Sequence, residues 1–66
     1  MNKDNIREIL ERKIRRAQPQ YESLKNKENR LSIWGYRDMG FFEGVIETCE
    51  DLLDVLEEME SESNAE

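Results

Sequence analysis

Apolar side chains recur at steps of three and four through most of the chain, and this rhythm fixes the fold class. In the first half Leu10, Ile14, Ala17, Tyr21, Leu24 and Leu31 advance by 4, 3, 4, 3 and 7, with Glu28 in the one polar slot and Ile6 one step earlier. In the second half Phe42, Val45, Cys49, Leu52, Leu56 and Met59 advance by 3, 4, 3, 4 and 3, and Ile46 and Leu53 widen the line into a stripe. Such steps keep side chains on one face of a helix of 3.6 residues per turn. No stretch alternates as a half-buried strand does. The expectation is an all-α fold of two helical arms.

The boundaries follow from local signals. Residues 1–60 form one helical domain, with arm 1 over about 3–30, a turn over about 31–37 and arm 2 over about 38–60. Asn2 or Asp4 can cap the first arm, and Ser32 or Asp38 the second, by accepting backbone N–H bonds. Pro19 falls inside arm 1, where a proline removes one hydrogen bond and clashes with the preceding turn at about 3 kcal/mol. A break or a kink near residue 19 is therefore expected. In the turn, "LSIWGYR", Gly35 suits a bend and Trp34 and Tyr36 read as anchors on the core. Gly40 and Gly44 each weaken the helix, so close approach of another helix or of the Trp34 ring is expected there. The segment 61–66, "SESNAE", is polar and reads as a flexible tail.

Size adds a second constraint. With 66 residues the chain buries only about 60% of the surface its unfolded form exposes, and such scaffolds usually need a staple. Cys49 is the one cysteine and there is no histidine, so neither an internal disulfide nor a zinc site is available. Self-association remains. An antiparallel hairpin pairing into a homodimeric bundle is the expected architecture, with Leu10, Ile14, Tyr21, Leu24, Trp34, Phe42, Val45, Leu52 and Leu56 as its core and dimer positions. No apolar run approaches a membrane span, and the first residues lack the apolar core of a secretory signal. With an unpaired cysteine, this places the expected location in the cytoplasm, with no membrane partner.

Charge is divided unevenly. Residues 1–36 hold nine Lys/Arg and five Asp/Glu, +4; residues 37–66 hold one Arg and eleven Asp/Glu, −10; the total is −6. On a helix of 100° per residue, Glu47, Glu50, Asp54, Glu57 and Glu58 fall within about 60° of Glu43, and Asp51 within about 80°. These seven carboxylates span fifteen residue steps, roughly 22 Å, or about one charge per 3 Å of axis. A single DNA strand carries about one charge per 3.4 Å. Two copies on a dimer approach a duplex. Like charges at i,i+4, such as Glu43/Glu47 and Asp54/Glu58, cost the helix a few tenths of a kcal/mol each, and no cation follows Arg37 to relieve them. Solubility alone would not require that cost.

The basic stretch "RKIRR", residues 12–16, places Arg12, Lys13, Arg15 and Arg16 mostly opposite the apolar seam. In a hairpin with these boundaries it lies level with about residues 50–55. Salt bridges across the flanks to the acidic arm are the first expectation, and a phosphate-binding patch the second. Catalytic machinery is missing: there is no histidine, no glycine-rich phosphate loop and no nucleophile elbow, and Cys49 sits on the apolar seam as a small hydrophobe. A carboxylate face without loop carbonyls is not a dedicated Ca²⁺ site. No enzymatic activity, cofactor or metal is expected.

Residues 29–58, "NRLSIWGYRDMGFFEGVIETCEDLLDVLEE", resemble short bacteriophage-encoded proteins in which a Trp/Tyr–Gly turn precedes a glycine-spaced aromatic segment and an acidic helix. With its charge-split helical design, the whole chain is similar to phage host-takeover proteins that imitate DNA, including the type that inhibits the bacterial histone-like protein HU. That resemblance implies a partner with a basic DNA-binding surface, in the host bacterial cytoplasm. The expected function is a non-catalytic inhibitor acting through Glu43, Glu47, Glu50, Asp51, Asp54, Glu57 and Glu58. The alternatives are a helical adaptor docking through its apolar seam and a weak nucleic-acid binder using the basic stretch. Direct nucleic-acid binding is disfavoured by the net negative charge.

Overall fold

The computed structural model describes residues 2–65, with side chains through residue 62. Its elements are α1, Lys3–Asn26, a single 3-10 turn at Glu28–Arg30, and α2, Ile33–Ala65. The two helices pack antiparallel into a hairpin with principal extents of 53 × 17 × 15 Å. No strand is present among the described residues. None of their helices is long and apolar enough to cross a membrane.

α1 starts where Asn2, not Asp4, caps it: the Asn2 side-chain oxygen accepts from the Asn5 N–H at 2.9 Å. The helix runs through Pro19 without a break. Packing explains why the break does not occur. Ala17 is buried and Tyr21 and Leu24 are half-buried on the same seam, so both sides of the proline are pinned against α2. Pro19 itself faces water. The arm ends at Asn26 rather than about 30, where the Lys27 N–H donates to the Leu24 carbonyl at 3.1 Å.

The connection is shorter than expected, and the second arm begins at Ile33 rather than about 38. Ser32 is the cap: its hydroxyl accepts from the Gly35 N–H at 3.2 Å, and its carbonyl accepts from the Tyr36 N–H at 3.0 Å. Trp34, Gly35, Tyr36 and Arg37 thus belong to the first turns of α2, not to a loop. Gly35 is needed for contact, not for a bend. A Cβ there would sit 3.0 Å from Leu31 Cδ2 and 3.1 Å from Leu31 Cβ. The Tyr36 hydroxyl donates to the Glu28 carbonyl across the turn. Trp34 does not anchor the core; it is 68% exposed, with the Arg37 guanidinium 5.7 Å from its ring centroid. Ser32→Ala should cost about 1 kcal/mol in urea unfolding, because the Gly35 N–H loses its hydroxyl acceptor.

The core is thin. Leu10, Ala17, Ile46, Cys49 and Leu56 are its buried apolar members, and none is below 2% exposure. Leu10, Cys49 and Leu56 form one cluster, against which Ile6, Ile14, Val45 and Leu53 pack. On α2 the covered line is Phe42, Ile46, Cys49, Leu53, Leu56 and Glu60, advancing by 4, 3, 4, 3 and 4. The expected seam shares Phe42, Val45, Cys49 and Leu56 with the buried side, and Ile46 and Leu53, which widened it, are covered too; Leu52 and Met59 are the members left out. Leu52 is 46% and Met59 47% exposed. Leu52 and Leu53 both keep helical phase, and α1 can cover only one. Glu60 closes the covered line by an ion pair with Arg7, whose hydrogen bond and charge hold the guanidinium further above its ordinary pKa.

Nothing lies within 4 Å of a Cβ built at Gly40 or Gly44, so neither glycine is there for a close approach within the chain. The helix also continues past residue 60 through Ala65, where a flexible tail over 61–66 was expected. Residue 66 falls outside the described residues.

Candidate functional site

The pitch of α2 divides its circumference into three sectors. Taking about 100° per residue and Phe41 as origin, the line covered by α1 centres near 100°, the seven carboxylates near 220°, and a second apolar line near 0°. Glu43, Glu47, Glu50, Asp51, Asp54, Glu57 and Glu58 are all exposed. They form a continuous ridge along one side of the hairpin, as the helical geometry requires.

Whether this ridge is neutralised internally depends on what α1 sets beside it. A shallow groove between the helices is lined by Gln18, Tyr21, Glu43, Ile46, Glu47 and Glu50. The α1 contribution is neutral, and Gln18 donates to Glu22 at 3.2 Å. Among the described residues, none of the seven ridge carboxylates has a Lys or Arg nitrogen within 4.0 Å. Lys25 is the cation whose charge interacts with the ridge, through Glu43, and it is itself paired with Glu28 at 2.9 Å. That pairing raises the Lys25 pKa, by hydrogen bond first and charge second.

The basic stretch does not behave as first expected. Arg12 pairs with Glu8 of its own helix at 3.5 Å. Lys13 and Arg16 lie on the opposite flank from the ridge, where Lys13 borders Phe41, Val45 and Cys49 and Arg16 borders Phe41, Phe42 and Val45. Among the described residues, no side chain of 12–16 makes an ion pair to α2. The stretch lies alongside residues 41–49, about two turns nearer the connection than residues 50–55, because α2 begins earlier than expected.

No family model, curated protein or solved structure matches this chain. The site therefore has to be argued from its own geometry. Cys49 is buried and unpaired. The grooves between the helices are shallow and open. What the surface offers is one anionic ridge, one uncovered apolar line and a cationic edge that does not touch the ridge.

Sequence reasoning missed the uncovered line as a separate feature. Its signal was present in Phe41, Thr48 and Val55, which share its heptad with Leu52 and Met59. It went unread because Leu52 and Met59 had been assigned to the covered seam.

Proposed function

We propose that this chain is a non-catalytic binding protein whose anionic ridge occupies the DNA-binding surface of a basic protein, with two hairpins paired into a helical bundle. The observation that carries this reading is the absence of cation pairing along Glu43–Glu58 among the described residues, beside Gln18 and Tyr21 of α1. A ridge already neutralised by its own arginines would have little attraction left for a partner. The spacing of about 3 Å per charge is close to that of one DNA strand. Seven like charges on one helix face, kept without relief, fit a surface selected for an external cation array.

The resemblance to phage proteins that imitate DNA supports the choice of partner class, and a bacterial histone-like protein such as HU is the first candidate. Binding of this kind depends on charge complementarity, so association is fast and weakens with salt. The test is competition: a histone-like protein is loaded with labelled duplex and the purified chain is added at low salt. Displacement of the duplex supports the reading. If the duplex stays bound at excess chain, that target is wrong.

A second reading, an adaptor docking through apolar side chains, is favoured by the uncovered line on α2. It predicts partner capture that is insensitive to salt and to charge reversal on the ridge.

A further inference from the structure

The line on α2 that α1 leaves uncovered is Phe41, Thr48, Leu52, Val55 and Met59, with the half-buried Val45 completing its heptad at the edge toward α1. Phe41 is 63%, Leu52 46%, Val55 48% and Met59 47% exposed. An open groove of about 470 Å³ runs along its first half, between Phe41, Val45 and Lys13 on one side and the bare backbone at Gly40 and Gly44 on the other. We infer that a second copy of this chain occupies this line, α2 against α2 in the parallel sense, to form a four-helix bundle.

Three observations carry the choice of occupant. First, the line has the regular heptad of a helix–helix seam, and an identical line on a second copy is complementary to it at every step. From Phe41 to Met59 it runs about 27 Å, at about 1.5 Å per residue. Second, the area is sufficient. With Trp34 included and roughly 200 Å² for a whole side chain of this size, the exposed apolar surface is on the order of 500 Å² per copy. A polar rim brings this toward the roughly 800 Å² per partner of a standard interface, and the single hairpin has only five buried apolar residues to stabilise it.

Third, charge selects the orientation. Lys13 and Arg16 border one edge of the line. Helical pitch puts Asp51 and Glu58 on the other edge. A two-fold axis parallel to the helices puts the cationic edge of one copy on the same side as the acidic edge of its partner, with Asp51 about 9 Å and Glu58 about 20 Å further along the axis than Lys13. An axis perpendicular to them gathers both cationic edges on one side and both acidic edges on the other. The parallel arrangement also leaves the two ridges on opposite faces, each open to its own ligand. This names the surface for the pairing included in the proposed function, and it does not depend on what the ridge binds.

Light scattering at micromolar concentration is expected to give the mass of two chains; the mass of one chain would overturn the pairing. Leu52→Lys with Val55→Lys, both at exposed positions, should halve the mass, whether or not the released hairpin stays helical; an unchanged mass would show that another surface is used. Orientation is read by oxidative cross-linking. Phe41→Cys and Met59→Cys should each give disulfide-linked dimers on their own, while the wild type, with Cys49 buried, should not. Cross-linking only when the two variants are mixed would overturn the parallel sense. DNA displacement is measured separately, so a monomeric chain that still displaces DNA would sink the pairing and leave the ridge reading intact.

Discussion

Replacing Glu47, Glu50 and Asp54 together by lysine is expected to abolish displacement of DNA from a basic protein while leaving the hairpin folded. The three residues occupy the middle of the ridge, are exposed, and have no ion-pair partner among the described residues. The change takes the seven-acid ridge from −7 to −1 and the whole chain from −6 to 0. At about 1 kcal/mol per reversed charge, the loss is roughly 3 kcal/mol, a weakening of about 100-fold. Unfolding would not explain such a loss. The reversals turn the repulsions Glu43/Glu47, Glu47/Asp51 and Asp54/Glu58 into attractions, so the helix should be as stable as before or slightly more so. Far-UV circular dichroism of the variant checks this directly. A variant that still displaces DNA as well as the wild type would favour the adaptor reading.

Pro19→Ala should raise the stability of the hairpin by about 2 kcal/mol and its midpoint by on the order of 10 °C. α1 continues through this position, so an alanine needs no change of backbone to fit. It restores the N–H that Arg15 C=O lacks and removes the ring from the preceding turn. The gain falls short of the full helix-interior cost for two reasons. Pro19 faces water, which can solvate the freed carbonyl. Losing proline also loosens the unfolded chain, by about 0.4 to 1 kcal/mol. Thermal unfolding at fixed concentration measures the shift, and the concentration must be matched because the proposed pairing of hairpins would make the midpoint concentration-dependent. A midpoint that falls would mean that α1 in solution is bent around this residue.

The contrast between the two sites shows what a sequence of this kind discloses. The ridge was legible because its shape depends only on helical pitch and on the identity of seven residues of α2. The cap at Ser32 was legible because a short hydroxyl side chain precedes the helical pattern. The path through Pro19 was not. A local cost of a few kcal/mol competes there with packing of Ala17, Tyr21 and Leu24 on either side, and only the assembled hairpin weighs the two. The choice between Leu52 and Leu53 was undecidable from spacing, since both satisfy the same heptad. That choice also sets the rotation of α1, and with it the place of Lys13 and Arg16. The expected bridges failed for Lys13 and Arg16 for this reason: the covered line turns them to the flank away from the ridge. Trp34 was misread as an anchor because an aromatic beside a glycine suggests a folded turn. Here Ser32 caps a helix that begins at Ile33, about five residues earlier than expected, and Trp34 is carried outward on it.

The most direct measurement is calorimetric titration of the purified chain into a histone-like protein, with and without bound duplex, across a series of salt concentrations. The account predicts binding at low salt that weakens steeply as salt is added and disappears when the partner's DNA site is already filled. No heat at low salt, or binding that persists at high salt beside bound duplex, would contradict it.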